Sequence, residues 1–414
     1  MQNLCRLDRI ALLCFLCSFS FYGLHVLRNV NALFPYVGPL LAIPVVLYVY
    51  LIGRQRFSLV GSIGVLLFLL ASILPILMSY LTYDENYNDA ILRFFYIVPL
   101  TLASSILVYR TFWVRSFLNV YVFLILMGCS SVFYQLVFGP VSWFADASER
   151  DGLVRYSSML GSLTVLGIAG GLALPAIFFS RISRTFKVLL VLFVCLGMLV
   201  TLQKAAVINI AVFLVLVCYE LIRHKRFLLL FSFLALSTLI LLSVIFFDLG
   251  YLSSTVRNVV RIGGSAEFSD VSLFQSVRDR IWVLPSALLD VHGVWGLLAG
   301  VGMVGGSGAL GFPDYPMAHN VYFDYLFIGG VIYLGTFLFL FMYSWRKFHV
   351  LMNSGTHEDR LIYRAVFFIQ LLVFINLPFA SGMQYQPVTG GMMMCLIFLG
   401  ALMPKHKQQV VYDD

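Results

Sequence analysis

Four side chains in this sequence, Arg155, Lys204, Arg280 and His319, are of types that together can hold an anion and move a proton. Arg280 lies in the segment Gln275 to Val291, where Val277, Ile281, Leu284 and Leu288 recur at helical spacing. At about 100° per residue Arg280 falls near the middle of that apolar stripe, with Arg278 and Asp279 to its sides, so it is expected to point inward. An inward guanidinium needs an anion, and its planar fork suits carboxylate or phosphate bidentately. Two partners stay open: an acidic residue of the chain, as for most buried arginines, or a phosphate of a ligand.

His319 sits in the run Pro316-Met317-Ala318-His319-Asn320-Val321-Tyr322, which opens an apolar segment with a proline where helices often begin. It is expected in a first helical turn. The positive end of a helix favours neutral imidazole, able to accept a proton, and attracts anionic groups. A structural hydrogen bond to a tyrosine such as Tyr322 is the alternative role. Lys204 occupies a short turn, Thr201-Leu202-Gln203-Lys204-Ala205, between two apolar helices, and Arg155 is expected where the sixth apolar helix begins. Taken singly, both are explained by snorkelling to the membrane surface. Converging with Arg280, they would form a cluster of three cations suited to a diphosphate whose lipid tail enters the bilayer.

Other motifs carry less. Glycines 293, 296, 300, 302, 305, 306, 308 and 311 make the stretch from Gly293 to Gly311 an expected loop, either a plain connector or exposed amides cradling an anion. Gly300, Gly302 and Gly305 fit G-x-G-x-x-G, but no strand or βαβ unit surrounds them, and no Lys-Ser or Lys-Thr closes a P-loop. Asp84, Glu85 and Asp89 lack a second set of ligands, so solvated charge is expected there, and neither metal nor cofactor is. Cys14 and Cys17 form C-x-x-C within an apolar run with no thioredoxin-like pattern and read as small hydrophobes.

The elements that must position these residues are helices in lipid. Of 414 residues 61% are hydrophobic and 11% charged, against about a quarter charged in a soluble domain. With about 20 residues per span, twelve apolar runs are expected. They are Ile10 to Leu27, Ala32 to Ile52, Phe57 to Leu81, Ile91 to Tyr109, Ser116 to Phe138, Tyr156 to Ser180, Val188 to Leu202, Ala205 to Ile222, Phe227 to Phe247, Asn320 to Trp345, Leu361 to Phe379 and Val388 to Met403. The expected fold is all-α, a polytopic membrane protein forming a single membrane domain over residues 1–414. The first run follows Arg6 and Arg9 without an evident cleavage site and is read as an uncleaved helix.

Lys and Arg are retained on the cytoplasmic side of short loops. In this topology 18 of the 27 basic residues fall on the inner side, with both termini, and 13 of the 19 acidic residues on the outer. The sides carry about +12 and −4, which reproduces the formal +8. The basic balance thus reflects membrane orientation and gives no reason to invoke nucleic acid. One outer connection, Asp248 to Ala318, is 71 residues long, and loops of that length usually carry function. It is expected to be a large periplasmic loop, 248–318.

The order of these pieces resembles the O-antigen ligase and O-antigen polymerase superfamily of bacterial surface-polysaccharide enzymes. The matching pieces are Lys204-Ala205, Arg280-Ile281-Trp282, Gly300-Val301-Gly302, Ala318-His319-Asn320-Val321-Tyr322 and Gly329-Gly330, spanning about Arg155 to Gly335. The resemblance implies a GT-C-like membrane glycosyltransferase of the inner membrane, metal-independent and inverting. Its donor would be an undecaprenyl-pyrophosphate-linked oligosaccharide at the periplasmic face. It further implies pyrophosphate contacts at Lys204 and Arg280 and an essential histidine at His319, with Arg155 an added cation from the reading above. The family usually carries Arg where this chain has Lys204, which keeps the charge and loses the bidentate fork. The acceptor distinguishes two activities: a lipid-linked repeat unit for a polymerase, lipid A-core for a ligase. Partners would be these glycans, membrane lipid and a chain-length regulator. A non-enzymatic flippase or exporter of lipid-linked glycan is the alternative from another class, although the informative residues sit on one outer loop and not on paired interrupted helices.

Overall fold

A computed structural model describes residues 2–24, 26–31, 33–53, 57–82, 95, 97–144, 147–150, 153–161, 165–229, 231, 288–290, 292–302, 320–378 and 386–404. Arg280, His319, the acidic trio at 84, 85 and 89, most of the ninth expected run and most of segment 248–318 lie outside these residues.

The described chain is mostly helical. We label α1 (Gln2–Gly23), α2 (Phe34–Leu47), α3 (Leu59–Ala71) and α4 (Leu74–Thr82), then α5 (Ile97–Tyr109) and α6 (Thr111–Phe138). A hairpin of β1 (Ser148–Arg150) and β2 (Leu153–Arg155) follows, then α7 (Val165–Phe178), α8 (Arg184–Val200) and α9 (Lys204–Arg223). Residues 292–299 form α10, and the chain ends with α11 (Val321–Leu351), α12 (His357–Asn376) and α13 (Pro387–Leu402). Among the described residues four helical stretches are long and apolar enough to cross a membrane: Leu59–Leu81, Thr111–Phe138, Ala205–Arg223 and Val321–Leu351. The chain is therefore an α-helical membrane protein.

Two short helices form its centre. Residues from Val165 to Ile177 of α7 and from Val388 to Leu402 of α13 are all buried. A helix apolar on every side belongs in an interior. The surrounding helices turn large apolar side chains outward, among them Leu59, Leu66, Leu67 and Leu70 of α3, Phe123 of α6 and Val215 of α9, as a lipid-facing surface requires. Helix α12 starts at a capping box in which Thr356 and Asp359 exchange hydrogen bonds with each other's backbone.

Three expectations are corrected. The sixth helix was expected over Tyr156 to Ser180 but covers Val165–Phe178, 14 residues or about 21 Å. Side chains divert the backbone before it: Gln135 Nε2 donates to Ser157 O at 2.7 Å, Met159 N to Ser131 Oγ at 3.1 Å and Leu160 N to Ser158 Oγ at 3.3 Å. Serine and amide groups that bond the backbone locally compete with helix formation. Arg155 consequently ends a short strand and does not start a helix. The β1–β2 register pairs Arg150 with Leu153, leaving Asp151-Gly152 as the link, a dipeptide that tight hairpins favour.

Second, the glycine-rich stretch is not loop throughout, since 292–299 is helical. Leu297 packs with Leu288, Val301 and Phe327, and this burial offsets the weak helix propensity of Gly293 and Gly296. Third, α11 begins at Val321, behind an extended Asn320 whose side chain accepts from Tyr322 N and Phe323 N. The first turn thus starts two residues after His319, because Asn320 is the better cap.

Candidate functional site

At the end of the molecule opposite the Arg- and Lys-rich connections, polar side chains tie five elements together. Arg155 Nε, at the close of β2, donates to Thr201 O at 3.0 Å. Thr201 Oγ1 itself donates to Met198 O at 2.6 Å, closing the end of α8. Three residues on, Lys204 is the first residue of α9, with Gln203 at the N-cap position and its side chain making no cap bond. Arg155 is therefore joined to the backbone of the turn that leads to Lys204.

One and a half turns into α9, Asn209 is fully buried. Its Nδ2 donates to Gly167 O of α7 at 3.2 Å, and its Oδ1 accepts from Asn376 Nδ2 of α12 at 2.6 Å. Asn376 Nδ2 also donates to Leu372 O at 2.7 Å. The next residue, Leu377, accepts from Val321 N at 2.9 Å. These bonds run from the hairpin through α9 and α12 to the head of α11, where Asn320 directly follows His319 in the sequence. Buried amides of this kind fix register because each lost partner leaves a costly orphan.

Helix α11 then breaks. Gly329 and Gly330 leave helical geometry, Gly330 with φ +67° and ψ −169°, a region essentially restricted to glycine. The break frees the carbonyls of Phe327 and Ile328, which accept from Val301 N at 2.7 Å and Gly302 N at 3.1 Å. A Cβ on Gly330 would run into the Leu298 carbonyl. Gly300-Val301-Gly302 thus docks by its backbone on the helix whose first residue follows His319 and Asn320.

Sequence pattern did not single out Gln203, Asn209, Asn376 or Asp324. Asp324 is buried in the first turn of α11, where a carboxylate complements the helix dipole. The signal available was a lone acid or amide inside an apolar run, which in a membrane protein points to function or a paired polar interior. Lys204 is placed by its backbone alone, and Arg280 and His319 lie outside the described residues.

The opposite end is organised by charge. Arg181 pairs with Glu358, and buried Glu220 faces Arg223 at 3.8 Å, His224 at 3.4 Å and Arg364 at 3.8 Å. A cleft there, lined in part by Arg115, Asn119, Arg181 and Glu358, encloses about 20 Å³. That volume suits a water molecule and not a sugar. No protein-family model matches the chain, and no curated protein matches it.

Proposed function

We propose that the chain is a metal-independent, inverting glycosyltransferase of the bacterial inner membrane. It polymerises a surface glycan such as O-antigen from an undecaprenyl-pyrophosphate donor at the periplasmic face. On this reading there are twelve spans in a GT-C-like arrangement, both termini are cytoplasmic, and 248–318 is the periplasmic loop.

The acceptor hydroxyl of a second lipid-linked repeat unit attacks the anomeric carbon. The bond from that carbon to the diphosphate oxygen breaks with inversion, and the hydroxyl proton passes to His319. Arg280, Lys204 and Arg155 stabilise the departing lipid diphosphate. The observation that carries the reading is the bond from Arg155 Nε to Thr201 O. It supports a shared site because it fastens one cation beside the turn that presents the next, while the buried amides extend the same framework to the head of α11.

The test is reconstitution of the purified protein with lipid-linked repeat units, scored on a gel. A ladder of lengthening glycan without any other acceptor is expected. Product formed only on addition of lipid A-core would make the protein a ligase, and translocation without a new glycosidic bond would make it a flippase. His319→Ala is expected to cost about 10²-fold or more in rate. Full activity in a His319→Ala protein that reaches the membrane would remove the base.

A further inference from the structure

Gln203 stands at the N-cap position of α9, yet its side chain does not cap that helix. The residue is 6% exposed, and its Nε2 has no hydrogen-bond partner among the described residues. A buried N–H without an acceptor destabilises a fold, and native proteins keep few of them.

Three features hold this amide where it is. A Cβ on Gly167 would collide with the Gln203 carboxamide, so the absence of a side chain on α7 makes its seat. Leu202 adopts φ +53°, a left-handed conformation that bulky residues rarely take, and this turns the chain sharply into Gln203. Thr201, the residue before, is fastened by Arg155. Strain at Leu202 and a donor without an acceptor, side by side at the start of a 20-residue helix, mark a place prepared for a ligand.

The chemistry of that ligand follows from the surroundings. Ala206 N donates to Gln203 O, but the Gln203 side chain does not cap α9, and the partial positive charge of a helix start favours an oxyanion over a neutral acceptor. Lys204 is the next residue. We infer that Gln203 Nε2 donates a hydrogen bond to a phosphate oxygen of a lipid-linked diphosphate, making Gln203 a ligand-binding residue. The inference rests on the reading of the chain as acting on such a lipid.

Purified full-length protein in lipid nanodiscs would be titrated with undecaprenyl diphosphate. Wild type would be compared with Gln203→Met, which keeps the length and removes the donor, and Gln203→Glu, which keeps the shape and adds a negative charge. Gln203→Met is expected to bind about tenfold more weakly or worse, and Gln203→Glu more weakly still. Without ligand, Gln203→Met is expected to melt at or above the wild-type temperature, because an orphan donor has been removed. A residue that only packs the turn would show the reverse, a lower melting temperature with unchanged affinity.

Affinity in Gln203→Met and Gln203→Glu equal to wild type overturns the inference, as does failure of the wild-type protein to bind undecaprenyl diphosphate. Binding that is lost in the variants, in a protein that builds no glycan ladder, retires the polymerase and supports the role of Gln203. A ladder made by wild type with unchanged binding in both variants retires the role of Gln203 alone.

Discussion

The two ends of the helical bundle differ in the weight they give to ion pairs. At the Arg- and Lys-rich end charged side chains meet one another, Arg181 with Glu358 and Glu220 with Arg223, His224 and Arg364, beside lysine bonds to the Phe178 and Pro404 carbonyls. At the other end neutral amides and a guanidinium bond to backbone carbonyls, as Arg155 does to Thr201, Asn209 to Gly167 and Asn376 to Leu372. Ion pairs tolerate a range of distances and are partly redundant. A side chain bonded to a particular carbonyl fixes one element against another to within the length of a hydrogen bond. The second end is therefore held in place by directional bonds between particular atoms, and the proposed function draws on that fixed geometry.

Substitutions can break this contrast. The largest effect is expected from Arg155→Met, which frees the Thr201 turn and removes a cation. Polymer formation by folded protein should fall about 100-fold, equivalent to about 2.7 kcal/mol of barrier. Activity near wild type in reconstituted Arg155→Met would mean the hairpin is decoration. Next is Asn376→Leu, which leaves Asn209 Oδ1 buried without its partner and should cost about 1–3 kcal/mol in thermal unfolding. The double variant with Asn209→Leu should cost less than the sum of the single changes, and strict additivity would show that the two amides are not coupled.

Gly330→Ala forces a side chain into a glycine-only conformation and toward the Leu298 carbonyl, at about 1–3 kcal/mol. Unchanged unfolding of Gly330→Ala would count against the docked arrangement of residues 300–302. The smallest effect belongs to the charged end: Arg181→Ala breaks a half-exposed pair and should shift stability by about 1 kcal/mol or less, leaving glycan synthesis intact. A large loss of synthesis in Arg181→Ala would erase the distinction between the two ends.

The sequence made the long helices legible because lipid imposes one rule on them, about 20 apolar residues with few charges, and α6, α9 and α11 obey it. It concealed the start of α7 because hydropathy does not register that Ser131, Gln135 and Ser158 take up backbone hydrogen bonds of Ser157, Met159 and Leu160. The β-hairpin was written in Asp151-Gly152, a turn signal of two residues overshadowed by the apolar run after it. Of the site, the sequence left open whether Arg155 and Lys204 snorkel separately or converge, and the bond from Arg155 to Thr201 O was not legible in it. Nor were Gln203, Asn209 and Asn376, because an amide counts as an interruption of an apolar pattern and its partner lies on a different helix. Gly329-Gly330 was visible as a pair, but glycines are frequent in membrane helices and do not by themselves announce a break.

The docking of Gly302 on Ile328 O also bears on chain entropy. It brings the polypeptide back to α11 before residue 303, and α11 takes it up again at Asn320, so 17 residues link two points on the same helix. Closing a link of that size, in place of the full 71-residue segment, lowers the closure penalty by about 1 kcal/mol at logarithmic scaling. The docking of residues 300–302 thus divides the long connection into two shorter ones.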